Sequence, residues 1–122
     1  MDRILNNPVV VGMIKGRHEL PVEDYIFNEA IEDIHDYESI RFHIWRFINN
    51  NVGVAKTMGY ALNGVDGEYV VFYGVRPLIV YVTGLTPVTA ELIAMCASKG
   101  VVLTLMNYDL TTGEYIEQVI FD

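Results

Sequence analysis

The chain has 122 residues, about the size of one ordinary domain, so we expect residues 1–122 to form a single domain. Apolar residues make up 52% of the sequence and charged residues 20%, which excludes an intrinsically disordered chain. The 16 acidic residues outnumber the 8 basic ones, and the net charge of −8 argues against sequence-independent binding to duplex nucleic acid. The single cysteine, Cys96, excludes an internal disulfide framework.

The composition also bears on location and on partners. No stretch approaches the ~20 apolar residues that a membrane span needs, and no secretory signal follows Met1, so we expect a cytoplasmic protein without a membrane partner. The charged fraction of 20% is below the ~25% usual for soluble domains. Either the fold is unusually compact or another subunit covers apolar surface. We predict the second case, a homo-oligomer, with a dimer favoured.

Two strands are predicted near the amino terminus. Residues 9–14 form an apolar run between Pro8 and Gly16, which is typical of a buried strand, and residues 25–27 suggest a second short strand. Residues 15–18 are then a loop, and they hold the only dense basic cluster of the chain.

A helix is predicted over residues 36–50, because apolar side chains recur there at intervals of three and four. Asp36 is a suitable N-cap for this helix. Phe42 and Trp45 lie off its main apolar stripe, which indicates a second contact surface. A further short helix is predicted over residues 54–62.

The second half of the chain predicts an α/β fold with a mixed, twisted sheet. Residues 78–82 form a near-continuous apolar strand of the kind buried on both faces of a parallel sheet. Thr86 is the expected N-cap of a long helix that ends near Lys99 and Gly100. With the next strand this makes a Rossmann-like βαβ unit. The remaining predicted strands are residues 69–75, 101–106 and 115–121, the last one closing an antiparallel carboxyl-terminal hairpin.

The corner between that strand and helix is the strongest candidate site. It contains Thr83, Gly84, Leu85 and Thr86. A helix amino terminus presents free N–H groups and a partial positive charge, which suit a phosphate or carboxylate. Gly84 lets the backbone approach a ligand, and the threonines add hydroxyl donors. In the alternative interpretation, Gly84 only makes a turn and Thr86 only caps the helix.

Residues 78–109 resemble the strand, turn and helix of the CRISPR-associated Rossmann-fold ligand sensors. Those proteins carry a Thr-Gly-Gly-Thr-Lys-like turn, which Thr83, Gly84 and Thr86 match here, while Leu85 replaces the second glycine and Pro87 the lysine. In that family the turn contacts a cyclic oligonucleotide, and some members cleave it as ring nucleases. The resemblance therefore implies a nucleotide-like ligand at this corner.

The basic loop is the second candidate site. If strand 9–14 runs parallel to strand 78–82, Lys15 and Arg17 lie at the same sheet edge as the corner. Arg17 could then hold a phosphate, and His18 could act as a general acid or base. These two residues are the catalytic candidates. In the alternative interpretation the loop is surface, and its charges pair with Glu19 or Glu23.

The sequence thus favours a small protein that binds a phosphate-bearing ligand, a nucleotide or cyclic oligonucleotide, without a metal or cofactor. The spacing of its three histidines does not suit zinc. Whether it is an enzyme stays open. The alternative function is an acidic protein-interaction or inhibitor module, an accessory or mobile-element protein. Such a module would contact its partner through Phe42, Trp45 and the acidic stretch of residues 19–38.

Overall fold

The computed structural model describes residues 7–53, 55–62, 65–72 and 76–122, with side chains in the first and last of these ranges. The strands and helices form an α/β fold, as predicted. In chain order they are β1 (Val9–Ile14), β2 (Tyr25–Phe27), α1 (Tyr37–Asn51), β3 (Ala55–Leu62), β4 (Val65–Phe72), β5 (Leu78–Tyr81), α2 (Thr86–Lys99), β6 (Leu103–Asp109) and β7 (Glu114–Phe121).

Five of these strands form one mixed sheet in the order β2-β1-β5-β6-β7. The strands β2, β1, β5 and β6 are parallel, and β7 pairs antiparallel with β6. The predicted βαβ unit (β5, α2 and β6) and the predicted closing hairpin (β6 and β7) are both confirmed. From β1 the chain continues to β2 on one side, and from β5 it continues to β6 on the other side. The neighbours β1 and β5 therefore flank a topological switch point, where ligands bind in open α/β sheets.

The prediction of a helix over residues 54–62 is wrong. Residues 55–62 form strand β3, which pairs antiparallel with β4 from Ala55 opposite Phe72 to Leu62 opposite Val65. Short apolar patterns are ambiguous between helix and strand, and here eight paired residues provide backbone hydrogen bonds that a short helix containing Gly59 could not match. Strand β4 also starts earlier than predicted, and residues 73–75 of the predicted strand lie outside the described residues.

The two helices cover one face of the five-stranded sheet. Three isoleucines of the predicted stripe on α1 are buried, together with four residues of α2; these are Ile40, Ile44, Ile48, Val88, Leu92, Met95 and Cys96. On β5 the burial alternates, with Leu78 and Val80 buried and Ile79 and Tyr81 half-exposed. The prediction that this strand is buried on both faces is therefore wrong, because no described helix packs on the second face.

Local contacts fix both helices. The Asp36 carboxylate accepts a hydrogen bond from Ser39 N at 3.2 Å, which confirms the predicted N-cap of α1. Gly100 ends α2 with φ at 72°, a left-handed conformation in which glycine carries no Cβ penalty. Arg41 of α1 forms a bidentate pair with Glu91 of α2, with N–O distances of 2.9 and 3.1 Å. Within the described part of the chain, no helix is long and apolar enough to cross a bilayer.

Candidate functional site

The structure brings the two predicted site segments to one edge of the sheet. Strands β1 and β5 are parallel neighbours, with Gly12 opposite Tyr81. The basic loop, residues 15–18, follows β1, and the corner, residues 83–86, follows β5. Both segments therefore leave the sheet at its carboxyl edge, as the sequence predicted. None of the described hydrogen bonds joins one segment to the other.

The amino terminus of α2 has no side-chain cap. The predicted N-cap, Thr86, is instead the first helical residue, and the N-cap position belongs to Leu85, whose side chain has no acceptor atom. The first backbone bond of this turn runs from Thr89 N to Leu85 O, at 3.0 Å. Pro87 has no N–H to offer. The N–H group of Thr86, an exposed residue, is thus left for an external acceptor, whereas Val88 is fully buried.

Thr83 supplies a second polar group at this corner. Thr83 is only 4% exposed, and its hydroxyl oxygen has no hydrogen-bond partner among the described residues. A buried unpaired polar group destabilises a fold by about 1–3 kcal/mol, so such a group marks a place where a partner is missing. Sequence reasoning selected Thr83 for its hydroxyl, but only the structure reveals that the hydroxyl is buried and unpaired.

The two residues between Thr83 and the helix have different roles. Gly84 has φ at +88°, and no heavy atom beyond its chain neighbours lies within 4 Å of the place where a Cβ would be. The backbone there is open to a ligand. Leu85 is half-buried and packs against the hydrophobic core, so its side chain contributes to stability.

The basic loop keeps its charges exposed. Lys15, Arg17 and His18 all lie at the surface. The ion pair found among the described side chains is Arg41 with Glu91, so neither Lys15 nor Arg17 pairs with Glu19 or Glu23. Lys15, Arg17 and His18 thus lie at the same edge as the uncapped helix and form no ion pair with a described residue.

Sequence reasoning missed a polar groove on the other side of the fold. This groove, a cavity of about 690 Å³, lies beside the amino-terminal half of β1 and is lined by His43 and Arg46 of α1 and by Arg76. The residues of the basic loop and of the corner are not among those that line it. The sequence does contain one pattern that could have indicated the groove: His43, Arg46 and Asn50 recur at intervals of three and four, which places them on one face of α1. Arg76 is far away in sequence, and only the fold brings it there.

The chain matches no protein-family model, no curated protein and no solved structure. The resemblance of residues 78–109 to the CRISPR-associated ligand sensors therefore stays a prediction.

Proposed function

We propose that the protein binds a phosphate-bearing small ligand, a nucleotide or a cyclic oligonucleotide, at the corner of residues 83–86. One observation carries this proposal: the amino terminus of α2 is uncapped beside the buried, unpaired hydroxyl of Thr83. Phosphate oxygens would accept hydrogen bonds from the N–H group of Thr86 and from the Thr83 hydroxyl. The positive end of the helix dipole favours the negative charge.

The basic loop would complete the site. Lys15 and Arg17 are exposed at the same sheet edge and are not engaged in ion pairs with described residues, so they are available to a second phosphate. With a cyclic oligonucleotide, Arg17 and His18 would be the groups able to support slow phosphodiester cleavage. The buried free thiol of Cys96 is consistent with the reducing conditions of the cytoplasm.

The test is a thermal-shift screen against nucleotides, cyclic oligonucleotides and inorganic phosphate, followed by titration calorimetry of each hit. A ligand at 100 times its Kd should add about 2.7 kcal/mol of stability. We expect Thr83→Val to weaken binding at least tenfold without lowering the Tm of the free protein, because it removes an unpaired buried hydroxyl. The matched control is Thr104→Val on β6. Full binding by Thr83→Val, or no hit in the panel, would reject the proposal.

A second candidate function is the protein-interaction module. Phe42 and Trp45 are 58% and 39% exposed, and their rings stack with centroids 5.9 Å apart. The Lys99 ammonium lies 5.6 Å from the Trp45 ring centroid. Exposed aromatic pairs of this kind are typical anchors of protein interfaces. Trp45→Asp should abolish binding to a purified partner and leave ligand binding at the corner unchanged, which separates the two functions.

We also infer that the chain forms a homodimer through β7. This strand is one edge of the sheet, and its eight residues carry the exposed side chains of Ile116 and Val119. Long unprotected edge strands are ready to pair with another strand. The opposite edge, β2, has only three residues. A second copy paired antiparallel to β7 about a two-fold axis would cover the longer edge.

A further inference from the structure

The groove beside β1 has the size and the polarity of a ligand site. Its volume of about 690 Å³ lies within the range of small-molecule and peptide sites. The described residues that line it include two arginines, His43 and three asparagines, and one carboxylate, that of Asp24. In a chain with a net charge of −8, such a concentration of cationic groups favours an anionic ligand.

Arg76 is held rigidly at one side of the groove. Its guanidinium donates to the carbonyl oxygens of Asn7 at 2.7 Å, Pro8 at 3.4 Å and Asn51 at 3.5 Å. Its backbone N–H donates to Val52 O at 3.0 Å, just after α1. A guanidinium has five N–H donors, so two remain after the three carbonyl contacts. A cation fixed in this way loses little conformational entropy when it binds an anion.

His43 and Arg46 belong to the α1 wall of the groove. His43 Nε2 lies 2.7 Å from Ile26 O, and because a carbonyl oxygen only accepts, the proton is on Nε2. The imidazole also stacks on Phe27, with ring centroids 4.3 Å apart. Arg46 is exposed, with its guanidinium carbon 5.9 Å from the Phe42 ring centroid, so its position can adjust to a bound group.

Among the described residues, none pairs with the sheet edge at the groove. Strand β2 pairs only with the carboxyl half of β1, where Gly12 lies opposite Tyr25 and Ile14 opposite Phe27. The first bond of this pairing runs from Gly12 N to Asp24 O, whereas Val9 N bonds on the other side, to Pro77 O. Successive residues of a strand point their backbone N–H and C=O groups to alternate sides, so those of Val10 point to the same side as those of Gly12, where β2 lies. The pairing with β2 starts only at Gly12 and does not reach Val10. Val10 is 42% exposed and lines the groove.

We propose that this groove binds an extended peptide segment that carries a carboxylate. The peptide adds a short strand beside Val10, in line with β2, and its carboxylate binds Arg46 and Arg76. An inorganic or small organic anion would pair only with the two arginine side chains. An acidic peptide would pair with these and also form hydrogen bonds with the backbone N–H and C=O of Val10. Strand addition to an exposed sheet edge is a general mode of peptide recognition. This site is separate from the corner at the carboxyl edge of the sheet.

The experiment is a titration of the full chain, followed by the chemical shifts of its backbone amides. The probe is a hexapeptide of alternating threonine and valine that ends in two glutamates. We expect the Val10 amide to shift and to become protected from hydrogen exchange, since it gains a hydrogen bond. Arg46→Gln should weaken binding about tenfold, because it removes one charge-assisted contact. Arg46→Lys, which keeps the charge, should restore part of that loss.

Three controls separate strand addition from simple charge attraction. Arg41 lies on the same helix as Arg46 but does not line the groove. The Arg41→Gln variant should therefore bind the probe like the wild-type protein. A probe that ends in two lysines and a probe with N-methylated amides should both lose binding. The proposal is overturned if either of these probes binds equally well, if Val10 does not respond, or if inorganic phosphate alone reproduces the Val10 shift.

Discussion

Gly12 lies where two side chains close over the helix-free face of the sheet. A Cβ at this position would lie 2.6 Å from Tyr25 Cε2 and 2.8 Å from Leu20 Cδ1, closer than carbon atoms approach in real structures. We expect Gly12→Ala to destabilise the protein by about 1–3 kcal/mol, as overpacking does. Urea denaturation measures this change. Gly16→Ala is the control: its Cβ meets no atom, and only its φ of +93° should be unfavourable, by about 1 kcal/mol. An unchanged Gly12→Ala would contradict the close approach.

Cys96 is the one thiol of the chain, and burial in α2 raises its pKa from 9.0 to about 12. We expect no reaction with a disulfide reagent at pH 8 until the protein unfolds, because the thiolate reacts and the thiol does not. In the unfolded chain the thiol has the lower pKa and loses its proton first. Stability should therefore fall as the pH rises above about 9. In Cys96→Ala the fall between pH 8 and pH 10 should be smaller, and rapid labelling of the folded protein would contradict the prediction.

The amino terminus of α2 offers a direct test of the corner. Leu85→Asp places a carboxylate at the N-cap, where it would accept a hydrogen bond from the N–H of Val88, the third helical residue, and its charge would exclude a ligand phosphate. We expect the amide shifts that inorganic phosphate causes at Thr86 to disappear in this variant. The added cap contributes about 1 kcal/mol, which offsets part of the packing that Leu85 loses.

Leu85→Ala is the matched variant for this test. It loses the same leucine contacts with the core but adds no carboxylate. It should be less stable than Leu85→Asp, while its Thr86 amide should still respond to phosphate. If both variants lose the phosphate response equally, the leucine itself shapes the site, and the uncapped helix is not what binds the anion.

Elements with strong local signals could be predicted from the sequence, and those that depend on distant partners could not. The apolar stripe of α1 and its Asp36 N-cap depend on residues within a few turns of one helix, and both predictions are confirmed. Strand β3 shows the opposite case, because its short apolar pattern fits a helix until β4 pairs with it. The sequence predicts Thr86 as the N-cap because threonine caps helices well, but the helix starts one residue earlier and the N-cap position falls to Leu85.

The two candidate sites differ in the same way. The corner lies within four consecutive residues, so its location followed from one strand, one turn and one helix. The groove depends on Arg76 reaching Asn7 O, a contact across 69 residues, and on β2 being too short to cover Val10. No local pattern contains either fact. Sequence reasoning therefore predicted the first candidate site and missed the second.

The two faces of the five-stranded sheet differ in what covers them. The helices bury one face, while the other face carries Tyr81, Tyr108 and Tyr115, which form a cluster with centroid distances of 4.8 and 5.2 Å around Tyr115. Partial burial, and then the electrostatic effect of Tyr108 and Tyr81, raise the Tyr115 pKa above its ordinary value. Strand β7 therefore joins an exposed aromatic face to an exposed edge, and both features favour association at this side of the molecule.

This asymmetry predicts the oligomeric state and a way to disrupt it. Light scattering after size exclusion should give twice the chain mass of 13.8 kDa. Val119→Lys places a charge on the β7 edge and should convert the dimer to monomer, because edge lysines oppose strand pairing. Leu110→Lys is the control: Leu110 is the most exposed large apolar residue described, yet it lies between β6 and β7, so this variant should stay dimeric. A monomeric wild-type protein, or a dimeric Val119→Lys, would show that β7 does not hold a second copy.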